Sequence, residues 1–285
     1  MNISIIGTGL LGGSLALGLK SVKEEHHFIG VDINNENARL AKRLGIIDEI
    51  HNFAEAVSKS DLVVLATPVN VIKHQLCEAL DILPEGSALI DLGSTKDIFS
   101  KMVADHPKRD QYISCHPMAG TENSGPESAF PGLLKHKQMI ICEPDKSDKV
   151  LLRWIISIFK KLDMQISYMN SKEHDRHIAY VSHLSHISSF ALGLTVLDKE
   201  KDEQSIFAMA GSGFSSTVRL AKSSPDMWAP IFKQNASNIS VALEAYINQL
   251  KKFKEIIDSG ADEKSHELME KANEIRRVLM GLEKG

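Results

Sequence analysis

His116 stands behind an apolar run, Tyr112-Ile113-Ser114-Cys115, and opens the string His116-Pro117-Met118-Ala119-Gly120-Thr121-Glu122. A histidine that follows a strand, with a proline fixing the local backbone, can accept a proton as a hydroxyl becomes a carbonyl. The plainer alternative is a histidine capping a turn. Ser94, in Gly93-Ser94-Thr95-Lys96, ends a neighbouring run, Ser87-Ala88-Leu89-Ile90-Asp91. It serves either as a hydrogen-bond partner of the same hydroxyl or as an ordinary helix N-cap. Glu122 closes the His116 loop, where a solvated carboxylate is the default reading.

A second polar cluster runs from Glu173-His174-Asp175-Arg176-His177 to Ser182-His183-Leu184-Ser185-His186. On a regular helix, Asp175, Ala179, Ser182 or His183, and His186 share one face, because residues three and four apart are neighbours. Such a face lines a wet pocket, or else its histidines are satisfied at the edge of a core. His183 and His186 have a spacing at which metal ligands converge, but no HExxH and no local cysteine completes a shell, so no metal is expected. Arg219 lies in a glycine- and serine-rich entry to a short helix, and its planar fork suits a carboxylate. A solvated surface arginine is the competing reading. Trp228, in Pro225-Asp226-Met227-Trp228, reads by default as core packing.

The elements that must hold these residues begin at the N-terminus. Gly7-Thr8-Gly9-Leu10-Leu11-Gly12 follows the run Ile3-Ser4-Ile5-Ile6 and precedes helical sequence, which is the context that gives GxGxxG its meaning. The first glycine permits the tight turn, the second lets backbone approach a pyrophosphate, and the third lets helix pack on strand. Phe28-Ile29-Gly30-Val31 ends in Asp32, about 20 residues on, where an acid accepts hydrogen bonds from a ribose. An acid there would repel a 2′-phosphate, so NAD is expected rather than NADP. Asp61-Leu62-Val63-Val64-Leu65-Ala66 reads as a buried strand stopped by Thr67-Pro68. Ligands bind beyond the carboxyl ends of such strands, so Thr67, Pro68, Ser94 and His116 are expected to line one crevice with the glycine loop.

These signals predict an α/β chain. A Rossmann-type parallel-sheet domain over residues 1–147 is followed by an all-α domain over 148–285. The stretch 225–260 carries an apolar stripe, Ile239, Leu243, Tyr246, Leu250, Phe253 and Ile257, at helical spacing. It fits either a core helix or a helix buried between two subunits, and a homodimer is expected. The formal charge of -4 over 285 residues, with opposite charges interspersed, gives no reason to expect nucleic acid or an anionic membrane as partner. No apolar stretch approaches a membrane span. The three cysteines form no CxxC, and the chain opens on a strand rather than a leader, which together favour a reduced, cytoplasmic protein.

From the first strand to about Trp228 the chain resembles the prephenate dehydrogenases of the TyrA family. The resemblance is carried by GxGxxG with Asp32, Asp91-Leu92-Gly93-Ser94-Thr95-Lys96, and His116-Pro117-Met118-Ala119-Gly120-Thr121-Glu122. It continues with His174-Asp175, Ser182-His183-Leu184-Ser185-His186, Arg219 and Asp226-Met227-Trp228. Ser185 departs from the family, which often has proline there. The resemblance implies NAD-dependent oxidative decarboxylation of prephenate to 4-hydroxyphenylpyruvate, in tyrosine biosynthesis. His116 would polarise the ring hydroxyl, Ser94 would share it, and Arg219 would bind a prephenate carboxylate. His183, His186 and Glu122 would form the pocket wall, and Asp175 would pair with the arginine and govern access. Trp228 would act in its own or a partner subunit's site. Arogenate is a close substrate alternative, and hydroxyacid or imine reductases share the architecture. A nucleotide-sensing module without turnover is the non-enzymatic alternative.

Overall fold

The computed structural model describes residues 1–22, 24–200, 206 and 209–278. Strands β1 (Asn2–Ile6), β2 (His27–Val31), β3 (Glu49–Ile50), β4 (Leu62–Leu65), β5 (Ala88–Asp91), β6 (Tyr112–Pro117), β7 (Gln138–Cys142) and β8 (Gln165–Met169) form one sheet. Their order is β3-β2-β1-β4-β5-β6-β7-β8. The first six are parallel; β7 pairs antiparallel with β6, and β8 runs parallel to β7. The chain reverses direction across the sheet between β1 and β4, the place where doubly wound sheets open a ligand crevice.

Strand alternation divides the core into two layers. Ile3, Ile5, Val64, Ile90, Ile113 and Cys115 face α1 (Leu10–Ser21), α2 (Asn35–Arg43) and α6 (Lys149–Lys161). Ile6, Val63, Leu65, Leu89 and Tyr112 face α3 (Phe53–Ser58), α4 (Val69–Ile82), α5 (Asp97–Met102) and α10 (Pro225–Gln234). Period two places Ser114 and His116 on the same face as Tyr112, toward α5 and α10.

Three expectations change here. The sheet does not end before residue 147, because α6 packs on it and β8 joins it as the outer strand. A boundary at 147 would leave Ile155, Ile158 and Phe159 of the core without their sheet. His116 lies within β6 rather than after it, paired with Ile140 of β7. The stretch 225–260 is two helices, α10 and α11 (Ala236–Asp258), broken at Asn235.

Beyond β8 follow α7 (Ser171–Ile178), a π-helical turn over Ala179–His183, α8 (Leu184–Glu200), α9 (Ser212–Val218) and a short 3₁₀ turn, Arg219–Lys222. The chain divides into two compact units, residues 1–236 and 237–285, the second holding most of α11 and α12 (Asp262–Asn273). Leu250 and Ile257 of the predicted stripe are exposed. No helix among the described residues is long and apolar enough to cross a membrane.

The glycines of the first turn separate packing from access. A Cβ on Gly12 would meet the Gly7 carbonyl oxygen at 2.2 Å and Ile5 Cγ2 at 2.8 Å, so this position closes the helix onto β1. Gly7 takes φ +96°, a conformation that disfavours a side chain. A Cβ on Gly9 would find nothing nearer than the Gly125 nitrogen at 3.9 Å. Gly12→Ala should therefore destabilise the fold by about 3 kcal/mol or more, as over-packing against backbone does. Gly9→Ala should cost less than about 1 kcal/mol. Urea denaturation of the two variants checks the difference, and equal midpoints would remove the packing argument.

Candidate active site

The glycine turn prepares the first half of the site. Gly9 caps α1 without a side chain, and the first turn carries no acid, so the N–H groups of Leu10, Leu11 and Gly12 are open to an anion without competition from a capping side chain. Asp32 sits beside them. Its Oδ2 accepts from the Thr8 backbone N–H at 3.1 Å and hydroxyl at 2.9 Å, and its Oδ1 accepts from the Asn34 N–H at 3.0 Å. Gly7 N–H donates to the Val31 carbonyl at 2.8 Å, which locks the two strand ends together. Thr67 and Pro68 follow β4, where the Thr67 hydroxyl donates to Gln75 at 2.8 Å and Pro68 caps α4. This open, uncapped cradle with an acid at its rim fits a dinucleotide.

The second half gathers at the ends of β5 and β6. His116 is 7% exposed, and its Nδ1 lies 2.8 Å from His174 Nε2. His174 Nδ1 lies 2.8 Å from Asp175 Oδ1. Asp175 is buried and also receives the backbone N–H groups of Lys96 at 2.8 Å and Asp97 at 3.0 Å. It thereby holds the start of α5 from α7. The start of α7 is held in turn from the sheet. Glu143, with left-handed φ of 51°, accepts from Ser171 N–H at 2.7 Å and hydroxyl at 2.8 Å. Asn170 caps the same turn through Glu173 N–H at 2.7 Å.

Beneath these groups lies a fully buried ion pair. Lys96 Nζ donates to Asp91 and, at 2.6 Å, to the Cys115 carbonyl. Asp91 also accepts from the Tyr112 hydroxyl at 2.6 Å and the Gly93 N–H at 2.9 Å. Burial pushes the Tyr112 phenol well above its usual range, and Asp91 adds to the effect. Ser94 lies half-buried on the loop between β5 and α5, one strand away from His116.

The histidines are held neutral. Burial pushes His116 well below the ordinary imidazole value, and His174, Lys96 and His183 push it the same way. Burial also lowers His174, opposed by Asp175, and carries His183 down to about 4. The π turn inserts one residue more than a regular helix allows, which sets the direction of His183 and His186 differently from a straight α-helical face. His183 Nδ1 lies 3.1 Å from the Asn235 amide nitrogen, which also donates to the Asp175 carbonyl at 2.7 Å. The ring proton of His183 is therefore on Nε2, a buried atom with no hydrogen-bond partner among the described residues. His186 stacks on Trp228 with centroids 3.5 Å apart, and His183 meets the same indole edge-on at 5.9 Å. Trp228 is 6% exposed, so its core packing and its place beside both histidines are one arrangement.

Arg219 pairs with Glu122, Nη1 to Oε2 at 2.9 Å, and both are accessible to solvent. The Glu122 carboxyl is lowered by its own backbone N–H and then by Arg219. Ser189, buried on α8, fixes the arginine's turn by donating to Thr217 O and accepting from Ala221 N–H, both at 3.0 Å. The expected pairing of Asp175 with Arg219 is not found, because Asp175 is committed to α5 and His174. Three contributors escaped sequence reasoning. His174, Lys96 and Asn235 lie beside recognised positions, but their roles need the contact of α7 and α10 with the sheet, which no local pattern encodes.

A doubly wound sheet with an open dinucleotide cradle, facing a neutral histidine in a buried polar relay, defines a nicotinamide-type dehydrogenase architecture. The nucleotide-binding domain model of prephenate dehydrogenase matches residues 15–168, and its dimerization domain model matches 170–271. The chain belongs to the prephenate dehydrogenase family. It is 30% identical to the prephenate dehydrogenase of Bacillus subtilis (strain 168), over 99% of this chain and 77% of that protein. Cyclohexadienyl dehydrogenase of Zymomonas mobilis is 27% identical, over 90% of this chain and 89% of its own length. The structure of prephenate dehydrogenase from A. aeolicus, in complex with hydroxyphenyl propionate and NAD+, superposes with a TM-score of 0.89 at 32% identity, covering 98% of each chain.

The buried neutral histidines make stability depend on pH. Unfolded, His183 titrates near 6.5; folded, near 4. Above pH 6.5 neither state is protonated and its titration contributes no cost. As pH falls from 6.5 towards 4, the unfolded chain takes up a proton that the folded chain refuses, so stability falls at up to about 1.4 kcal/mol per pH unit. Urea unfolding between pH 7.5 and 5 should show this loss, and His183→Gln should flatten the slope. An unchanged slope would mean that His183 is accessible to protonation in the fold.

Proposed function

We propose that this chain catalyses NAD-dependent oxidative decarboxylation of prephenate to 4-hydroxyphenylpyruvate, with His116 as the base. The observation that carries this reading is a buried, neutral histidine on β6, held from behind by a polar relay and placed on the sheet that carries the cofactor cradle. NAD, when bound, supplies the hydride acceptor. Leu10, Leu11, Gly12 and the bare Gly9 receive its phosphates, and Asp32 favours a free ribose over a 2′-phosphate. Thr67 and Pro68 edge the same crevice.

His116 takes the proton of the ring hydroxyl as the carbon becomes a carbonyl, and Ser94 shares that hydroxyl. Loss of carbon dioxide restores aromaticity, so the remaining residues need only position the substrate and stabilise charge. Arg219 grips a substrate carboxylate, with Glu122 beside it as a removable partner. His183, His186 and Trp228 form the adjoining wall, His183 offering a neutral N–H. Asp175 acts from below rather than at the mouth of the pocket. The helical segment from residue 170 onward, with Leu250 and Ile257 exposed, serves a homodimer. NADH formation with prephenate and arogenate, measured side by side, tests the substrate assignment; turnover of neither would leave a binding module.

His116→Asn should lower kcat by roughly 10²–10⁴-fold, the usual size of a general acid–base contribution, while NAD binding is nearly retained. Because the base must be neutral and burial depresses its pKa, the acid limb of kcat/KM should lie below pH 6.5. Activity within a few-fold of the parent would remove His116 from the mechanism.

Arg219→Ala should raise the prephenate KM strongly and change kcat less, if the carboxylate is held alike in ground and transition states. Losing a charge-assisted fork corresponds to about 2–4 kcal/mol, or roughly 30- to 1,000-fold. Lysine should restore only part, being a point charge. The exposed pair with Glu122 does not offset this, since such pairs contribute little. Unaltered prephenate binding would place the carboxylate site elsewhere.

A further inference from the structure

We propose that His174 and Asp175 are positioning residues that hold His116 in its Nδ1–H tautomer, leaving Nε2 as a bare acceptor for the substrate hydroxyl. This deepens the reading of His116 as the base and rests on it. The argument starts at Asp175. A carboxylate has no proton to give, and this one already receives two backbone N–H groups, from Lys96 at 2.8 Å and Asp97 at 3.0 Å. The contact between Asp175 Oδ1 and His174 Nδ1, at 2.8 Å, must therefore be donated by the imidazole.

A neutral imidazole carries one proton, so Nε2 of His174 is left as an acceptor. The atom 2.8 Å from it is Nδ1 of His116, which must donate. His116 is itself neutral, so its single proton is used there and its Nε2 is bare. The groups facing His116 are His174 from α7, Lys96 from the turn before α5 and His183 from the π turn. All three push it the same way as burial does, so an imidazolium, which would blur the tautomer, is disfavoured. The polarity runs outward from Asp175, each donor fixed by the acceptor behind it.

His183 provides an internal contrast. It too is tied to residue 175, but through the Asn235 amide, a donor, and so its proton is on Nε2. One element thus sets opposite tautomers on two neighbouring rings, one an acceptor and one a donor. A generic buried histidine pair would have no such assigned direction.

The test uses the full chain labelled with ¹⁵N-histidine, with NAD bound, and long-range ¹H–¹⁵N NMR. His116→Asn identifies the His116 signals. The wild-type spectrum should show His116 protonated at Nδ1 with Nε2 bare. His174→Gln can direct its amide N–H to Asp175 and its carbonyl to His116, so it should retain the tautomer and kcat within about tenfold. His174→Leu offers no acceptor; His116 should then populate both tautomers and kcat should fall on the order of 10²-fold or more, with NAD affinity and prephenate KM little changed. A wild-type His116 carrying its proton on Nε2 would overturn the proposal, as would His174→Leu with unaltered tautomer and kcat. Should His174→Leu fail to fold, the wild-type spectrum alone decides. Full activity in His116→Asn would sink the base assignment and leave the tautomer result standing, so the two failures are distinct.

Discussion

Asp175 has both carboxylate oxygens occupied inside the protein, and with its backbone carbonyl it holds three elements. The Lys96 and Asp97 N–H groups orient α5, and with it the loop carrying Ser94. The His174 contact runs through to His116 on β6. The backbone carbonyl of the same residue receives the Asn235 amide, so the junction after α10 is fixed at the same point. A carboxylate at a helix N-terminus, with two N–H donors, is a favourable place for buried negative charge. That favourable setting is what allows a buried acid to sit behind the histidine. Remove it, and each partner is left as a buried polar group without its bond, which costs more than the bond contributes.

The Lys96–Asp91 pair poses a related problem one layer deeper. Two charges with no exposure are costly to desolvate, and such pairs are poor evidence for stability in themselves. Here both ions are also hydrogen-bonded to other groups: Asp91 is shared by Lys96, Tyr112 and Gly93, and Lys96 also reaches the Cys115 carbonyl, the residue before His116. The pair therefore ties β5 to the end of β6 where the sheet passes from parallel to antiparallel pairing. It also places a fixed positive charge below His116, on the side that keeps the imidazole unprotonated. A neutral imidazole at His116 is obtained from position rather than from any special residue.

Much of this was legible in the sequence, and the limits have physical reasons. The glycine turn, Asp32 and the strands β1, β2, β4, β5 and β6 could be read because each has a local signature: apolar runs, a steric need for glycine, a terminal acid; the two-residue β3 has none. The strand β7 was missed because Gln138-Met139-Ile140-Ile141-Cys142 is a short apolar run without turn chemistry that separates strand from helix, and β8 alternates too weakly to stand out. Every residue of the 225–260 stripe lies beyond Asn235, so the stripe carries no sign of the break between α10 and α11. A π turn adds a residue without altering composition, which is why the face drawn through Asp175 and His186 rotates away from the regular one. Asp175 was recognised as polar and significant; its partner was misassigned because two backbone N–H groups, invisible to residue-type reasoning, compete for it against Arg219.

The same competition explains how the site divides its work. Groups that must keep one protonation state and one direction, His116, His174 and His183, are buried and tied to backbone or to one another. The group proposed to meet an incoming carboxylate, Arg219, is half exposed and, among the described residues, pairs with Glu122, whose loss on substrate entry costs little in a screened setting. An arginine bound to the buried Asp175 would have required breaking a desolvated pair before substrate could bind, a penalty of several kcal/mol. Assigning the acid to the relay and a surface glutamate to the arginine avoids that penalty. In the proposed reaction it keeps the geometry of His116 independent of whether a carboxylate occupies Arg219.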